Sequence, residues 1–288
     1  MANHPHTIPI ASGVQWLAER YPVWLCDIWG VLHNGVAAYQ TAYEALAIFR
    51  QQGGTVVLIT NAPRPHDDVA QQILRLGITG AAYDEIVTSG DVTRALIAEC
   101  GDKPVFHLGP DKDRSIFAGL DTRLAAESQA GMVVCTGLFD DLTETPRDYE
   151  GQLRAMNRRK LPMICANPDV VVERGSQLCY CAGAIGQAYE ALGGKVAYAG
   201  KPHAPIYAAA LARVAAMQGR PIALDSVLAI GDGMETDILG AHQFGIAALF
   251  VASGIHLGAG EGLNEASLVR LFGGRRERPV GAIAQLAW

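Results

Sequence analysis

The chain of 288 residues is poor in charge (18%) and in aromatic residues (7%), and it has no excess of basic groups. Its formal net charge of −6 argues against broad electrostatic binding to nucleic acid or to an anionic membrane. No apolar run approaches the ~20 residues that a bilayer-spanning helix needs. Residues 1–12 lack a basic start followed by an apolar stretch, so they do not read as a signal peptide, and a cytoplasmic location is expected. Cysteines in zinc-site spacing are also missing. The six (Cys26, Cys100, Cys135, Cys165, Cys179, Cys181) are scattered, and Cys179 and Cys181 stand closer than a zinc pair requires. They read as reduced, buried small hydrophobes. No Gly-x-Ser-x-Gly elbow anchors a serine-hydrolase triad, and no fixed-period repeat points to a solenoid. An anionic ligand must therefore be held by a local site rather than by a global field.

Half of the residues are hydrophobic, enough for a sizeable core, and the length allows two domains. Short apolar runs alternate with amphipathic helical patterns, which predicts a parallel sheet with crossover helices. Strands are expected at 23–26, 55–59, 85–88, 105–108, 132–135, 163–166, 196–199, 227–230 and 247–251, the last ending at Ser253-Gly254. A helical pattern from Thr41 through Leu46 and Phe49 stops at Gly53-Gly54. A second, carrying Val69, Ile73, Leu74 and Leu76, is expected to be capped by Asp67 or Asp68 and closed by Gly77. The basic helix with Arg147, Arg154, Arg158, Arg159 and Lys160 reads as a solvated face. The glycine run 258–262 reads as a loop.

Four polar signals share one address, the carboxyl end of a strand: Asp27, Thr60-Asn61, Lys201, and Asp232 with Asp237. In open parallel sheets, ligands bind in the crevice beyond those strand ends. Each signal alone has a plain explanation. Asp after a strand is often a turn or cap, Thr-Asn is ordinary loop chemistry, and Lys before Pro is usually a surface residue. Their shared address is what those explanations leave out. Carboxylates such as Asp27 and Asp232, side by side, repel unless a hard cation sits between them, and magnesium accepts carboxylates, phosphate oxygens and water. The Thr60 hydroxyl, backbone amides and the Lys201 ammonium suit the remaining phosphate oxygens. A carboxylate facing a clamped phosphorus can act as nucleophile.

The segments Asp27-Ile28-Trp29-Gly30-Val31-Leu32, Thr60-Asn61, Gly200-Lys201-Pro202 and Gly231-Asp232-Gly233-Met234-Glu235-Thr236-Asp237 resemble the four motifs of the haloacid dehalogenase superfamily. Their order and spacing resemble its capped class IIA subfamily, which includes 4-nitrophenylphosphatase-like, phosphoglycolate and nucleotide monophosphatases. Asn167-Pro168-Asp169 and Gly183-Ala184-Ile185 resemble segments found there before the lysine motif. The resemblance implies a doubly wound, Rossmann-like α/β core (1–102 and 196–288) with an inserted α/β cap (103–195). It implies Asp27 as nucleophile and magnesium ligand, the Trp29 backbone carbonyl as a further ligand, and Asp232 as a direct ligand with Asp237 close by. Thr60 and the Asn61 backbone match the phosphate clamp, and Lys201 the residue that balances nucleophile and phosphate charge. The implied cofactor is Mg2+, the implied partner a small phosphorylated substrate, and caps of this kind can pair into a homodimer.

Three departures from the pattern stand out. Phosphatases of the subfamily usually carry a second Asp two residues after the nucleophile, as general acid and base; here that position is Trp29, whose indole can do neither. His33, shortly after, is a candidate substitute acid, set against the simpler reading of a loop histidine. Gly233 stands where Asn is usual, and Ala62-Pro63-Arg64 follow Thr60-Asn61 in place of polar residues. The expected function is a Mg-dependent hydrolase forming an aspartyl-phosphate. The alternative is a weakly active or noncatalytic phospho-ligand-binding protein. Carbon–halogen hydrolysis needs no metal, so Asp232 and Asp237 together count against it. A dinucleotide turn at Gly231-Asp232-Gly233 lacks its third glycine and would set two acids against the pyrophosphate.

Overall fold

A computed structural model describes residues 7–174, 177–252, 257 and 262–288. Ser253-Gly254 and most of the 258–262 run lie outside the described residues. In chain order the strands are β1 (Ile10–Ala11), β2 (Val23–Asp27), β3 (Thr55–Thr60), β4 (Glu85–Thr88), β5 (Val105–Leu108), β6 (Met132–Cys135), β7 (Met163–Cys165), β8 (Val171–Arg174), β9 (Gln177–Tyr180), β10 (Val196–Tyr198), β11 (Val227–Gly231), β12 (Ala247–Val251) and β13 (Gly281–Ile283). The helices are α1 (Gln40–Gln51), α2 (His66–Arg75), α3 (Ser89–Glu99), α4 (Glu150–Arg158), α5 (Ala182–Ala191), α6 (Ala204–Gln218), α7 (Leu239–Phe244) and α8 (Glu265–Phe272). The chain divides into two compact units, the first Met1–Ile59, Gln71–Ile86 and Ala210–Trp288, the second Thr60–Ala70 and Val87–Ala209.

The larger sheet has strand order β1-β13-β12-β11-β2-β3-β4. Pairing is parallel at β11–β2 and β2–β3, with Ile230 opposite Cys26 and Asp27 opposite Ile59. The central strands are apolar on both faces: every residue of β2, β11 and nearly all of β3 is buried, as expected where helices cover both sides. From β2 the chain runs outward through β3 to β4, then returns to build β11, β12 and β13 on the other flank. The order therefore reverses between β2 and β11, the place where open α/β sheets bind ligands. Within this unit Trp24 stacks on Phe49 at 3.5 Å between ring centroids, joining β2 to α1.

The second unit is built on a parallel sheet of order β10-β7-β6-β5, with an antiparallel pair β8–β9. Alternate residues of β6 feed two cores, as a period of two dictates. Val133 and Cys135 pack with Leu153 and Met156 of α4 and Ile185 and Tyr189 of α5. Met132 and Val134 pack with Ile97 of α3, Ile116 and Phe117. Five of the six cysteines are buried, and burial pushes the Cys135 thiol up to about 12. Arg147, Arg154, Arg158, Arg159 and Lys160 are exposed, as their spacing predicts.

One local expectation is corrected. Helix α2 begins at His66, which puts Asp67 and Asp68 inside its first turn rather than at the cap. The His66 N–H is accepted instead by Asp91 Oδ1 at 3.2 Å, a cap supplied from α3.

Candidate active site

Asp27 is the last residue of β2, and Asp232 directly follows β11, so the two acids leave the sheet side by side at its switch point. Asp237 reaches the same place through a wide turn over 234–238, in which Ile238 N–H bonds the Gly233 carbonyl at 3.0 Å. Such i→i+5 turns recur at functional sites. Asp27, Asp232 and Asp237 are all buried, and one carboxylate oxygen of each lies within 4.8 Å of the others.

Several local features hold these acids. Asp27 Oδ1 accepts the Ile28 N–H at 2.7 Å, and Asp237 Oδ2 accepts the Gly233 N–H at 3.1 Å. A Cβ on Gly233 would meet Thr236 Oγ1 at 2.0 Å, so a side chain at this position would have to displace the Thr236 hydroxyl. A Cβ on Gly231 would meet Asp237 Cγ at 2.1 Å. The negative charge reaches Tyr39, whose phenol is pushed up first by burial and then by Asp232.

An all-oxygen set of three buried carboxylates, with no sulfur or imidazole, fits a hard divalent cation rather than zinc or copper. Like charges this close and this buried repel strongly unless a cation or protons compensate them. The residues present therefore suit magnesium.

Trp29 stands in the loop after β2 and is 38% exposed. Its ring lies edge-on to His33 at 5.1 Å, and it occupies the space that a Cβ on Gly35 would need, 2.4 Å from Trp29 Cη2. His33 is buried, its Nδ1 accepts the Gly35 N–H at 2.9 Å, and burial pushes its pKa down. A neutral imidazole tied into its own turn holds the loop together, which favours the structural reading of His33.

The second unit holds a polar group of its own. Thr60 ends β3, and its Oγ1 accepts the Ala62 N–H at 3.3 Å. Asn61 Oδ1 accepts the Lys201 N–H at 2.7 Å, while Asn61 Nδ2 donates to the Lys201 carbonyl at 3.0 Å and to Asp169 Oδ1 at 2.8 Å. Asn61 and Lys201 are buried, Lys201 to 2% exposure. The backbone of the Ala62-Pro63-Arg64 segment is fixed by Thr88, whose hydroxyl donates to the Arg64 carbonyl at 2.6 Å. The link through Asp169 was not legible in the sequence, where only the Asn-Pro-Asp spacing marked it.

A doubly wound parallel sheet with three acids at its switch point is the frame of an α/β enzyme with a ligand site beyond its strand ends. A family model described as haloacid dehalogenase-like hydrolase matches residues 24–123, and a second, HAD-hydrolase-like, matches 198–266. The chain is 43% identical to a haloacid dehalogenase-like hydrolase from Brucella suis 1330 of known structure, with a TM-score of 0.85, covering 96% of this chain and 99% of that one. It belongs to the haloacid dehalogenase-like hydrolases. A 4-nitrophenylphosphatase from Thermotoga maritima shares the fold at 20% identity and a TM-score of 0.72, covering 93% of this chain and 96% of that one. Chronophin from Rattus norvegicus is 26% identical over 246 residues, 80% of this chain and 75% of that protein. No helix among the described residues is long and apolar enough to cross a membrane.

Proposed function

We propose that the protein is a magnesium-dependent phosphohydrolase that acts on a small phosphorylated metabolite through an aspartyl-phosphate on Asp27. The observation that carries this reading is the convergence of Asp27, Asp232 and Asp237 at the sheet's switch point. Asp27, Asp232, Asp237 and the Trp29 carbonyl are the groups that would hold magnesium. The ion, when bound, would offset carboxylate and phosphate charge and draw electron density from phosphorus.

The chain's own residues supply the rest. Asp27 donates an electron pair from one carboxylate oxygen to phosphorus, and the leaving oxygen departs with the ester bond's electrons. The Thr60 hydroxyl and the Asn61 backbone N–H donate to phosphate oxygens, and the Lys201 ammonium balances the combined charge. Water then cleaves the acyl phosphate and regenerates the Asp27 carboxylate. The order of the four motifs along the chain supports joining these groups in one site. On the same pattern, residues 103–195 are a cap domain inserted into a core of 1–102 and 196–288. The protein acts in the cytoplasm, and two copies pair through their caps.

Trp29 favours one alternative, a phospho-ligand-binding protein with little turnover, because no carboxyl group stands at that position to protonate a leaving group. Purified protein screened against 4-nitrophenyl phosphate and a panel of phosphorylated metabolites, with magnesium and with EDTA, separates the two. Phosphate release that needs magnesium is expected. Binding of a panel member without release from any would replace the hydrolase by the binding protein.

A further inference from the structure

The segment Asn167-Pro168-Asp169 and Gly183 have no part in the chemistry above. We propose that Asp169 is a positioning residue: its carboxylate sets the orientation of the Asn61 amide, and that amide pins the Lys201 main chain. The inference rests on the phosphohydrolase reading, in which Lys201 meets the phosphate.

A carboxamide has two ends of nearly equal shape, one accepting and one donating. Around Asn61 the partners are not interchangeable. The Lys201 N–H donates to Oδ1 at 2.7 Å, while the Lys201 carbonyl and Asp169 Oδ1 accept from Nδ2 at 3.0 and 2.8 Å. Turned over, the amide would set its oxygen against two acceptors and its NH2 against an N–H. In a buried site those mismatches are poorly screened. One orientation therefore satisfies all three partners, and Asp169 is the one supplied by a separate stretch of chain.

The sequence prepares each partner locally. Asn167 Oδ1 accepts the Asp169 N–H at 3.1 Å, and the Gly183 N–H donates to the Asp169 carbonyl at 3.0 Å. A Cβ on Gly183 would lie 2.1 Å from the Pro168 carbonyl oxygen, so α5 can approach this turn only through glycine. A Cβ on Gly200 would lie 2.3 Å from Asn61 Oδ1, so the residue before the lysine must leave the amide its room. Four otherwise unconnected positions, 167, 183, 200 and 61, thus serve one contact.

The Lys201 side chain is long and flexible, so the placement of its backbone sets where the ammonium can reach. Misplacing a catalytic group by about 1 Å costs on the order of 10²-fold in rate. Asp169→Ala should therefore lower kcat/KM by roughly 10- to 100-fold and weaken binding of inorganic phosphate in magnesium, while leaving the charge of Lys201 intact.

The test is a double-mutant cycle with 4-nitrophenyl phosphate, run alongside calorimetry with inorganic phosphate and thermal melts. Asp169→Ala is made alone and in a Lys201→Ala background. Because Asp169 acts through Lys201, its loss in that background should cost less than about 2-fold. A purely structural Asp169 would cost as much in both, which would overturn the proposal. Asp169→Asn, closer in size, covers the case in which the alanine variant fails to fold. Asn61→Asp sets an oxygen against the Asp169 carboxylate and should be severe; adding Asp169→Asn returns a donor across the pair and should recover part of the loss. A double variant worse than either single one also overturns the proposal. A wild type that neither releases nor binds phosphate overturns the phosphohydrolase reading itself, whereas an additive cycle in an active enzyme removes only the role of Asp169.

Discussion

A Cβ on Gly30 would lie 2.2 Å from Oδ2 of Asp232, and Gly30 has a φ of +83°. The residue that turns the chain after β2 is thereby packed against the acid that directly follows β11. Two constraints fall on one position: a left-handed backbone, and no room for a side chain beside the carboxylate.

They can be separated by a control. Gly53 has a φ of +90° and nothing within 4 Å of where its Cβ would be. Gly53→Ala should pay only the backbone strain, about 1–3 kcal/mol. Gly30→Ala should pay that and also displace Asp232, so its magnesium affinity should fall at least tenfold. Urea denaturation and magnesium calorimetry on both variants check this. Unchanged magnesium affinity in Gly30→Ala would mean that Asp232 is not a ligand.

Asp27→Asn should abolish phosphate release, because an amide is a poor nucleophile. It also removes one of three clustered buried charges. In EDTA its melting temperature should therefore be no lower than that of the wild type. Magnesium at 100 times its Kd should stabilise the wild type by about 2.7 kcal/mol and the variant by much less. Scanning calorimetry with and without magnesium reads both effects. Retained turnover in the pure variant would place the nucleophile elsewhere.

Asp113 in the second unit offers a pH test. Its carboxyl is pushed up from 3.8 to about 6, chiefly by burial, against the opposing charges of Lys112 and Arg64 and a hydrogen bond from Thr136, with Asp141 adding to the rise. The Thr136 hydroxyl also meets His107 Nε2 at 2.9 Å, and burial holds His107 down at about 4, neutral. The folded pKa of Asp113 lies above its unfolded value, so the folded state binds the proton more tightly. Ionisation then costs stability in full above pH ~6, and the cost vanishes as pH falls toward ~4, with an upper size of roughly 3 kcal/mol. Asp113→Asn keeps an acceptor for Thr136 and removes the ionisation. It should be more stable than wild type at pH 8, with the gain fading by pH 4. Denaturation at the two pH values decides; a gain that does not depend on pH would exclude ionisation as its source.

The central elements were legible because each is a long apolar run bounded by turn residues, as at Val227–Gly231. The missed strands are short or at edges: β1 has two residues, β13 three, and the β8–β9 pair takes its register from its partner rather than from an apolar run. The start of α2 escaped because its cap comes from Asp91, 25 residues further on, where a local cap rule cannot look. The site followed the same division. The strand-end address of Asp27 and Asp232 shows in sequence, since each acid closes its own apolar run. The partnership of Asn61 with Asp169 spans 108 residues and exists only through folding.

Trp29 gives the sharpest test of the chemistry. Its indole fills the space over Gly35 and stands edge-on to His33, and it is the exposed member of its motif. If it occupies the place of a missing general acid, Trp29→Asp should restore protonation of the leaving group. The gain must then depend on the substrate. Alkyl phosphates leave as strongly basic alkoxides and should gain most, about 10²-fold, the lower end of general-acid catalysis. Aryl phosphates such as 4-nitrophenyl phosphate leave as weakly basic anions, so formation of the aspartyl-phosphate should gain little. A restored general base in the water step would raise kcat for both, so the comparison uses kcat/KM, which stops at the first irreversible step. Equal gains for the two classes would show that Trp29 acts through shape, by its packing on Gly35, rather than by standing in for an acid. No gain for either would favour the binding protein.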